Sequence, residues 1–395
     1  MIPELFTILA GFGFVAALVA NGKPPVILGL PSTITGFFMA ELGRALIPVQ
    51  IVVTGIWIAI GALDESIGFV GLALTVGGWL LLGLADRRSR RVPDVLHEQV
   101  PALRTLDVDR TPVRLRTTLR PSFEGVEIRR NETYGPEARN HADVYLPANC
   151  VDAPIVLQIH GGGWVSGKKE QQGQPLLSHF TDQGWIGVAI NYRMGPKHRL
   201  PAAVHDVKRA IAWIREQAPS WGGDADRILV TGGSAGGHLT ALAALTGDDR
   251  SLQPGFEDAD CSVAAAAPMY GVFDMTDAAG HRGRSRMTPF LDRMVMSTRH
   301  ADDPVGWDAL SPITRLHADI PPTFAVSCAY DTLVPIAESR DFGRALVEVS
   351  PDSHFVELPH AHHAFDVIGG VRATHVIRAV ERWASSVVAR GPVDA

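Results

Sequence analysis

The segment that decides the fold of this chain is Thr231-Gly232-Gly233-Ser234-Ala235-Gly236-Gly237-His238. Residues 227–230 before it are typical of a short buried strand, and residues 238–245 after it are rich in helix-forming side chains. The G-x-S-x-G pattern between them predicts a sharp strand-to-helix turn that holds Ser234 in a strained backbone conformation with its hydroxyl exposed. A glycine-rich turn whose serine only caps the helix is the alternative, and this motif alone does not decide between them.

Strand-like and helix-like segments alternate along the chain around this motif. Residues 126–130 and 142–147 predict a pair of antiparallel strands, and alternating segments then continue as far as residue 388. The alternation predicts an α/β fold with a mostly parallel, doubly wound sheet that is covered by helices on both faces. In that architecture, sites form at the carboxyl ends of the strands.

Three further motifs lie at predicted strand ends. The glycines of His160-Gly161-Gly162-Gly163-Trp164 leave backbone N–H groups open, and with the N–H of Ala235 these could bind an oxyanion, each donor contributing roughly 3 kcal/mol. A phosphate cradle is the rival use, but the spacing fits neither a dinucleotide motif nor a P-loop. The other two motifs are Ala329-Tyr330-Asp331-Thr332-Leu333-Val334-Pro335 and His360-Ala361-His362-His363-Ala364-Phe365-Asp366.

Asp331 and the histidine cluster each have a simpler explanation when taken alone. An aspartate at a strand end is usually a turn residue or a helix cap. The histidines could suggest a metal, but no carboxylate or cysteine pattern accompanies them at ligand spacing, so we expect neither a metal nor another cofactor. The order serine, aspartate, histidine favours catalysis, because successive strand ends of a doubly wound sheet would bring these three types together.

From residue 126 to the C-terminus the chain resembles the α/β-hydrolase superfamily, specifically the esterases similar to bacterial hormone-sensitive lipase. Besides the motifs above, the resemblance rests on Asn191-Tyr192-Arg193 and Leu200-Pro201-Ala202-Ala203. It implies that Ser234 is the nucleophile, Asp331 the acid of a catalytic triad and His363 the base. His363 is chosen over its neighbour because a small residue and then a phenylalanine follow it. The implied oxyanion donors are Gly162, Gly163 and Ala235.

Two features depart from that family. Gly233 stands where these esterases usually carry an aspartate, as in a neighbouring branch that includes formamidase-like enzymes. An apolar N-terminal region replaces much of the family's N-terminal cap. Both departures bear on the choice of substrate rather than on the chemistry.

The implied activity is hydrolysis of short-to-medium acyl esters, or of lipids from an adjacent bilayer, through an acyl-enzyme. An acyltransferase or an amidase could use the same triad. A catalytically silent hydrolase-like domain that binds a partner is a third interpretation, but such domains usually lose a triad residue or an oxyanion glycine. The insertion at residues 279–296 and three aromatic side chains are expected to line the acyl pocket, with ordinary packing as the alternative. The aromatic side chains are Trp164, Tyr192 and Phe273.

The N-terminal region is almost free of charge as far as residue 85. Its four apolar runs, residues 5–20, 26–40, 45–63 and 67–85, predict a membrane region of four helices, with two or three spans as the alternative. A signal peptide is a weaker explanation of the first run, because Glu4 replaces the basic start. The predicted domains are a transmembrane region at 1–86, a basic linker or cap segment at 87–121 and a catalytic domain at 122–395.

The distribution of charged residues predicts on which side of the membrane the catalytic domain lies, and the net charge argues against nucleic acid as a partner. The arginine cluster at residues 87–91 and Arg44 place the catalytic domain on the cytoplasmic side of a multi-pass inner-membrane protein, with Lys23 outside. The net charge of −6 gives no electrostatic basis for binding nucleic acid. The three cysteines show neither metal spacing nor a disulfide pattern. Protein partners are not indicated by any motif.

Overall fold

The structure is a computed structural model that describes residues 1–24, 29–111, 113, 121–283 and 285–389, without the side chains of residues 29, 30 and 44. Part of the second apolar run (26–28), part of the basic segment (112 and 114–120) and residues 390–395 lie outside the described residues.

Three helices form the N-terminal region: α1 Ile2–Asn21, α2 Gly29–Ala59 and α3 Ser66–Ser89. Helices α1 and α3 run side by side in the same direction, because Thr7 Oγ1 donates to the carbonyl of Ile67 at 2.8 Å and Asn21 Nδ2 donates to that of Leu81 at 2.8 Å. The first half of α2, Pro31–Gly43, makes an angle of 90° with the second half, Ala45–Ala59. The second half therefore returns antiparallel to α1 and brings Trp57 to within 6.1 Å of Phe6, measured between ring centroids.

The sequence predicted four helices here, and the structure differs because the second and third apolar runs belong to one bent helix. The bend has a local cause in Pro48, which lies inside α2. A proline removes the helical hydrogen bond to the carbonyl four residues earlier, and here that carbonyl belongs to residue 44, between the two halves. The helix can therefore turn sharply at this point without a separating loop.

Helix α1 is long and apolar enough to cross a membrane, as is α3 together with the following helix, and the bent α2 would be a third span. Many of their large apolar side chains are exposed on the protein surface, as expected of helices that face lipid. The most exposed of these include Phe12, Val52 and Leu80.

The described part of the predicted basic segment packs onto the next domain. Helix α4, Val92–Gln99, and a 3₁₀ turn, Pro101–Arg104, bury Leu96 and Leu103 in the same apolar cluster as the central strands. The Gln99 side chain also pairs with the backbone of Glu357 through two hydrogen bonds of 2.8 and 3.0 Å. This segment therefore forms part of the fold rather than a free connection.

The rest of the chain forms an eight-stranded sheet in the order β1-β2-β4-β3-β5-β6-β7-β8. Strands β1 and β2 are antiparallel and β2 pairs antiparallel with β4, whereas every other pair is parallel, which confirms the predicted fold class. The strands are Val126–Thr133, His141–Pro147, Ala153–Ile159, Ile186–Ile190, Gly223–Gly233, Ala265–Met269, Phe324–Cys328 and His354–Leu358.

Helices cover both faces of this sheet. The longer ones alternate with the parallel strands, and two short ones lie in the excursion between β6 and β7. In chain order they are α5 Gln174–Asp182, α6 Ala202–Trp221, α7 Ala235–Leu245, α8 Met287–Phe290, α9 Pro304–Ala309, α10 Ile336–Val349 and α11 Val371–Val388. Because β3, β5, β7 and β8 are parallel, the loops that follow them meet at one edge of the sheet.

Candidate active site

Ser234 stands at the turn between β5 and α7. Its backbone angles, φ 60° and ψ −123°, are strained for a residue with a side chain, as the motif predicted. The turn is closely packed, since a methyl group at Gly236 would lie 2.2 Å from the carbonyl oxygen of Ile159 on the neighbouring strand. Only glycine therefore fits at position 236, two residues after the serine.

A chain of two hydrogen bonds starts at this serine. His363 Nε2 lies 2.8 Å from Ser234 Oγ, and His363 Nδ1 lies 2.6 Å from Asp331 Oδ2. Asp331 and His363 are both buried. With Nδ1 protonated toward the carboxylate, Nε2 is free to accept the serine proton, which is the arrangement that a general base needs.

The carboxylate of Asp331 is itself held in place by the backbone. Its Oδ1 accepts the N–H groups of Leu333 at 2.8 Å and Val334 at 2.9 Å, so that Oδ2 points to the imidazole. The two loops leave the ends of β7 and β8, adjacent parallel strands. Residues 32 positions apart in the sequence therefore become hydrogen-bonded neighbours.

The glycine loop after β3 lies directly beside the serine turn. A methyl group at Gly161 would lie 2.7 Å from the carbonyl oxygen of Gly233 and 3.2 Å from Ser234 Cβ. The backbone of Gly162 has φ 117°, which side chains rarely adopt. Ala235 is the first residue of α7, so its N–H lies at the positive end of a helix. The predicted oxyanion donors are thus on two adjoining turns.

The three predicted pocket aromatics are all buried and each has a packing partner. Trp164 Nε1 donates to His238 Nδ1 at 3.2 Å. Tyr192 donates its hydroxyl to the carbonyl of His160 at 2.8 Å. Phe273 stacks on Phe342 with centroids 4.1 Å apart, in a separate apolar cluster.

Phe290, in the excursion between β6 and β7, contributes an aromatic side chain beside the glycine loop. A methyl group at Gly163 would lie 3.4 Å from its ring. This residue lies within the insertion that the sequence predicted to cover the pocket. The sequence did not single it out because one phenylalanine in an irregular segment carries no distinguishing pattern.

Sequence reasoning also missed Tyr270, which follows β6 and packs against the catalytic histidine candidate. Its ring meets that of His363 edge to face at a centroid distance of 4.7 Å, and its hydroxyl donates to Asp366. A methyl group at Gly233 would lie 2.2 Å from the tyrosine oxygen. Tyr270 therefore explains why glycine stands at a position where similar esterases usually carry aspartate.

Gln172 is a second missed residue. Its Oε1 accepts the N–H of Gly161 at 2.7 Å and so fixes the first peptide of the glycine loop. Its position at a predicted loop between a strand and a helix gave no signal, because glutamine is common on surfaces.

Two of the buried histidines beside the site, His160 and His238, are neutral at pH 7. Burial lowers the pKa of His160 to about 4 and that of His238 to about 4. Each histidine makes a hydrogen bond to a backbone carbonyl, to Gly161 at 2.7 Å and to Leu310 at 2.8 Å respectively. Among the described residues no group of three or more His, Cys, Asp and Glu side chains is arranged to hold a metal ion.

The fold and this arrangement define the class as an α/β hydrolase. The BD-FAE family model matches residues 142–346, which is more than half of the chain, so the chain belongs to the BD-FAE family of esterases similar to hormone-sensitive lipase. It is 44% identical over 262 residues to "Esterase LipQ" of Mycobacterium tuberculosis, covering 65% of this chain and 62% of that protein.

A second curated relative and a solved structure agree. The chain is 44% identical over 264 residues to "Probable carboxylic ester hydrolase LipM" of Mycobacterium tuberculosis, covering 65% of this chain and 61% of that protein. The chain therefore spans less than two thirds of the length of these two relatives. The apo form of Thermogutta terrifontis esterase 2 superposes with a TM-score of 0.56 at 25% identity, covering 72% of this chain and 100% of that structure.

Proposed function

We propose that the protein is a serine carboxylesterase in which Ser234 is the nucleophile, His363 the general base and Asp331 the residue that orients the base. The observation that carries the proposal is the hydrogen-bond chain of 2.8 and 2.6 Å that joins these three side chains beside a loop of glycines. Two relatives at 44% identity, one named an esterase and the other a probable carboxylic ester hydrolase, support the same reaction.

The reaction proceeds in two steps, acylation of Ser234 and hydrolysis of the acyl-enzyme. His363 takes the proton of Ser234 as the serine oxygen bonds to the ester carbonyl carbon, and the carbonyl electrons move onto the oxygen. The N–H groups of Gly162, Gly163 and Ala235 stabilise that oxyanion. Its collapse breaks the bond to the alcohol, which takes the proton from His363. Water then attacks the acyl-enzyme in the same way and releases the acid.

The substrate is proposed to be an ester with a short-to-medium acyl chain. We propose that the acyl chain binds beside Gly163, where the protein chain continues into Trp164 and Phe290 comes within contact of the loop. Tyr192 supports the glycine loop from the core, since it stacks on His160 and donates its hydroxyl to the carbonyl of that residue, whereas Phe273 packs on Phe342 in a separate cluster. Aromatic and aliphatic walls bind acyl chains through burial of apolar surface.

The proposal is tested with a chain-length series of p-nitrophenyl esters on the detergent-solubilised protein. We expect Ser234→Ala to lower kcat by about 10⁴-fold or more, because no other group forms the acyl-enzyme. The matched control is Ser220→Ala, an exposed serine at the end of α6, which should retain wild-type turnover. Equal turnover in both variants would refute the nucleophile. Adding alcohol acceptors distinguishes hydrolysis from acyl transfer.

We also propose that the protein is held in the cell membrane by three spans, with the catalytic domain in the cytoplasm. The spans are α1, α3 and, between them, the apolar run 45–63, which comprises the second half of α2 and the residues that follow it as far as Leu63. Helix directions support three spans rather than four, since α1 and α3 are parallel and the second half of α2 is antiparallel to them. Lys23, Arg44 and the arginine cluster at 87–91 then share one side, and Asp64 and Glu65 the other. All basic positions thus agree with the positive-inside rule.

The three-span and four-span topologies differ in the side of the membrane on which Met1 lies. With three spans a tag before Met1 is outside while a reporter after Ala395 is cytoplasmic, whereas with four spans both are cytoplasmic. Protease accessibility of an N-terminal tag in intact spheroplasts, compared with lysed ones, distinguishes them. Protection of the tag in intact cells would contradict the three-span arrangement.

A further inference from the structure

The N-terminal helices contact the two loops that carry Asp331 and His363. His362, next to the base, is buried between the catalytic domain and these helices, and its Nε2 lies 3.2 Å from the carbonyl oxygen of Ala20 in the last turn of α1. Its other face lies against α2, since a methyl group at Gly36 would be 2.6 Å from Nδ1. The imidazole therefore fits only because α2 has no side chain there.

The loop with the aspartate is held by the same half of α2. The hydroxyls of Thr33 and Thr332 are hydrogen-bonded at 2.5 Å, and both side chains are buried. Thr332 lies between Asp331 and the two residues, Leu333 and Val334, whose backbone N–H groups orient the Asp331 carboxylate. A displacement of Thr332 would therefore move the groups that aim Asp331 at the imidazole.

A buried ion pair fixes this half of α2 to the helix that follows the histidine loop. Glu41 Oε1 lies 2.7 Å from Arg372 Nη1 in the first turn of α11, and both side chains are 1% exposed. Next to the pair, a methyl group at Gly370 would lie 2.3 Å from Glu41 Oε2. Separating two desolvated charges is costly, because each would be left buried without a counter-charge. The pair therefore fixes the position of α2 relative to α11.

We propose that Pro31–Gly43, together with the end of α1, positions the triad of this esterase, and that Gly36 and Thr332 are positioning residues. The proposal rests on the catalytic roles proposed above for Ser234, His363 and Asp331. Neither Gly36 nor Thr332 touches the reacting atoms, so each acts through the neighbouring catalytic loop. The membrane region is then part of the active site's framework and not only an anchor.

The contact between α2 and the catalytic loops should affect the rate of the chemical step. Small misplacements of a base or of its orienting carboxylate lower the rate of the chemical step, by as much as about 100-fold for 1 Å. The proposed acyl site lies beside the glycine loop after β3, on the opposite side of β5 from the strands that carry Asp331 and His363. A disturbance of the α2 contact should therefore lower kcat and leave KM nearly unchanged.

The test compares two glycine variants of the same helix in the full-length protein. Gly36→Ala places a methyl group against the His362 ring, whereas Gly55→Ala adds one where no atom lies within 4 Å. We expect kcat per serine titrated with a fluorophosphonate to fall about 10- to 100-fold in Gly36→Ala, with KM within about threefold, and Gly55→Ala to match the wild type. Equal kcat in both glycine variants would overturn the proposal.

A second pair of variants tests the contact between α2 and the Asp331 loop if Gly36→Ala does not fold. Thr332→Val removes the hydrogen bond to Thr33 at nearly constant volume, and Thr332→Ser keeps it. We expect kcat to fall in the valine variant and to recover in the serine variant, at unchanged KM. Equal kcat in the two variants contradicts the positioning role. If instead the wild type neither turns over esters nor reacts with the fluorophosphonate at Ser234, the proposed function itself is wrong.

Discussion

Replacing Gly233 with alanine tests whether Tyr270 dictates the residue beside the nucleophile. The added methyl group would lie 2.2 Å from the tyrosine oxygen and 2.5 Å from Cζ, far inside the contact distance of about 3.5 Å. The ring cannot easily retreat, because its hydroxyl donates to Asp366 and its centroid lies 4.7 Å from that of the His363 ring. Overpacking of this kind costs about 1–3 kcal/mol. We therefore expect a loss of that size in Gly233→Ala and a larger one in Gly233→Asp.

A double-mutant cycle isolates the contact. Tyr270→Ala opens space that the new methyl group can occupy, so Gly233→Ala with Tyr270→Ala should lose about 1–3 kcal/mol less than the sum of the single variants. Tyr145→Ala serves as the matched control, since this buried tyrosine on β2 lies three strands away from β5. Its effect should add to that of Gly233→Ala. Free energies come from denaturant unfolding in detergent, and additivity in the Tyr270 cycle would refute the reasoning.

Three further predictions concern pH, the buried ion pair and the glycine loop. Burial lowers the pKa of His238 from 6.5 to about 4, so between these pH values the unfolded chain binds a proton at this histidine and the folded protein does not. The free energy of unfolding should therefore be unaffected by His238 above pH 6.5 and decrease as the pH falls toward 4. We expect the thermal midpoint to decrease through that window, and to decrease less in His238→Gln. Glu41→Ala leaves Arg372 buried and unpaired and should cost about 3–5 kcal/mol, whereas Glu41→Met with Arg372→Met should cost less; equal losses on thermal unfolding would contradict this. Gln172→Ala leaves one N–H of the glycine loop without its acceptor, so we expect the stability to fall by about 1–3 kcal/mol and kcat on a p-nitrophenyl ester to fall about tenfold, and an unchanged kcat would argue against the contact.

The elements that the sequence predicted well are those with a local cause. The strand before Ser234 and the helix after it follow from a short apolar run and a series of helix formers, and the turn follows from glycines that allow close approach. Because parallel strands end at one edge, the sequence order also predicted that loops carrying Asp331 and His363 would adjoin. The mostly parallel sheet is confirmed by its strand pairing.

The contacts that the sequence did not predict are long-range ones between common residue types. Tyr270 and Asp366 meet across 96 positions and Gln172 reaches a glycine 11 positions away, yet no spacing rule connects them. Apolar runs likewise do not reveal whether two of them form one helix. Pro48 could have suggested a bend, but a single proline in an apolar run is compatible with either a break or a kink.

The amino-acid composition changes near residue 86, from apolar side chains that suit lipid to charged ones that suit water. The side-chain contacts of the folded protein cross this boundary. Arg372 belongs to the catalytic domain by sequence, but its counter-charge, Glu41, lies in the apolar region. His362 belongs to the histidine motif, but its ring packs on Gly36 and its Nε2 faces the carbonyl of Ala20. A fully buried charge that loses its partner destabilises the folded protein by about 3–5 kcal/mol. The catalytic loops therefore depend for their packing on helices that composition alone would assign to anchoring.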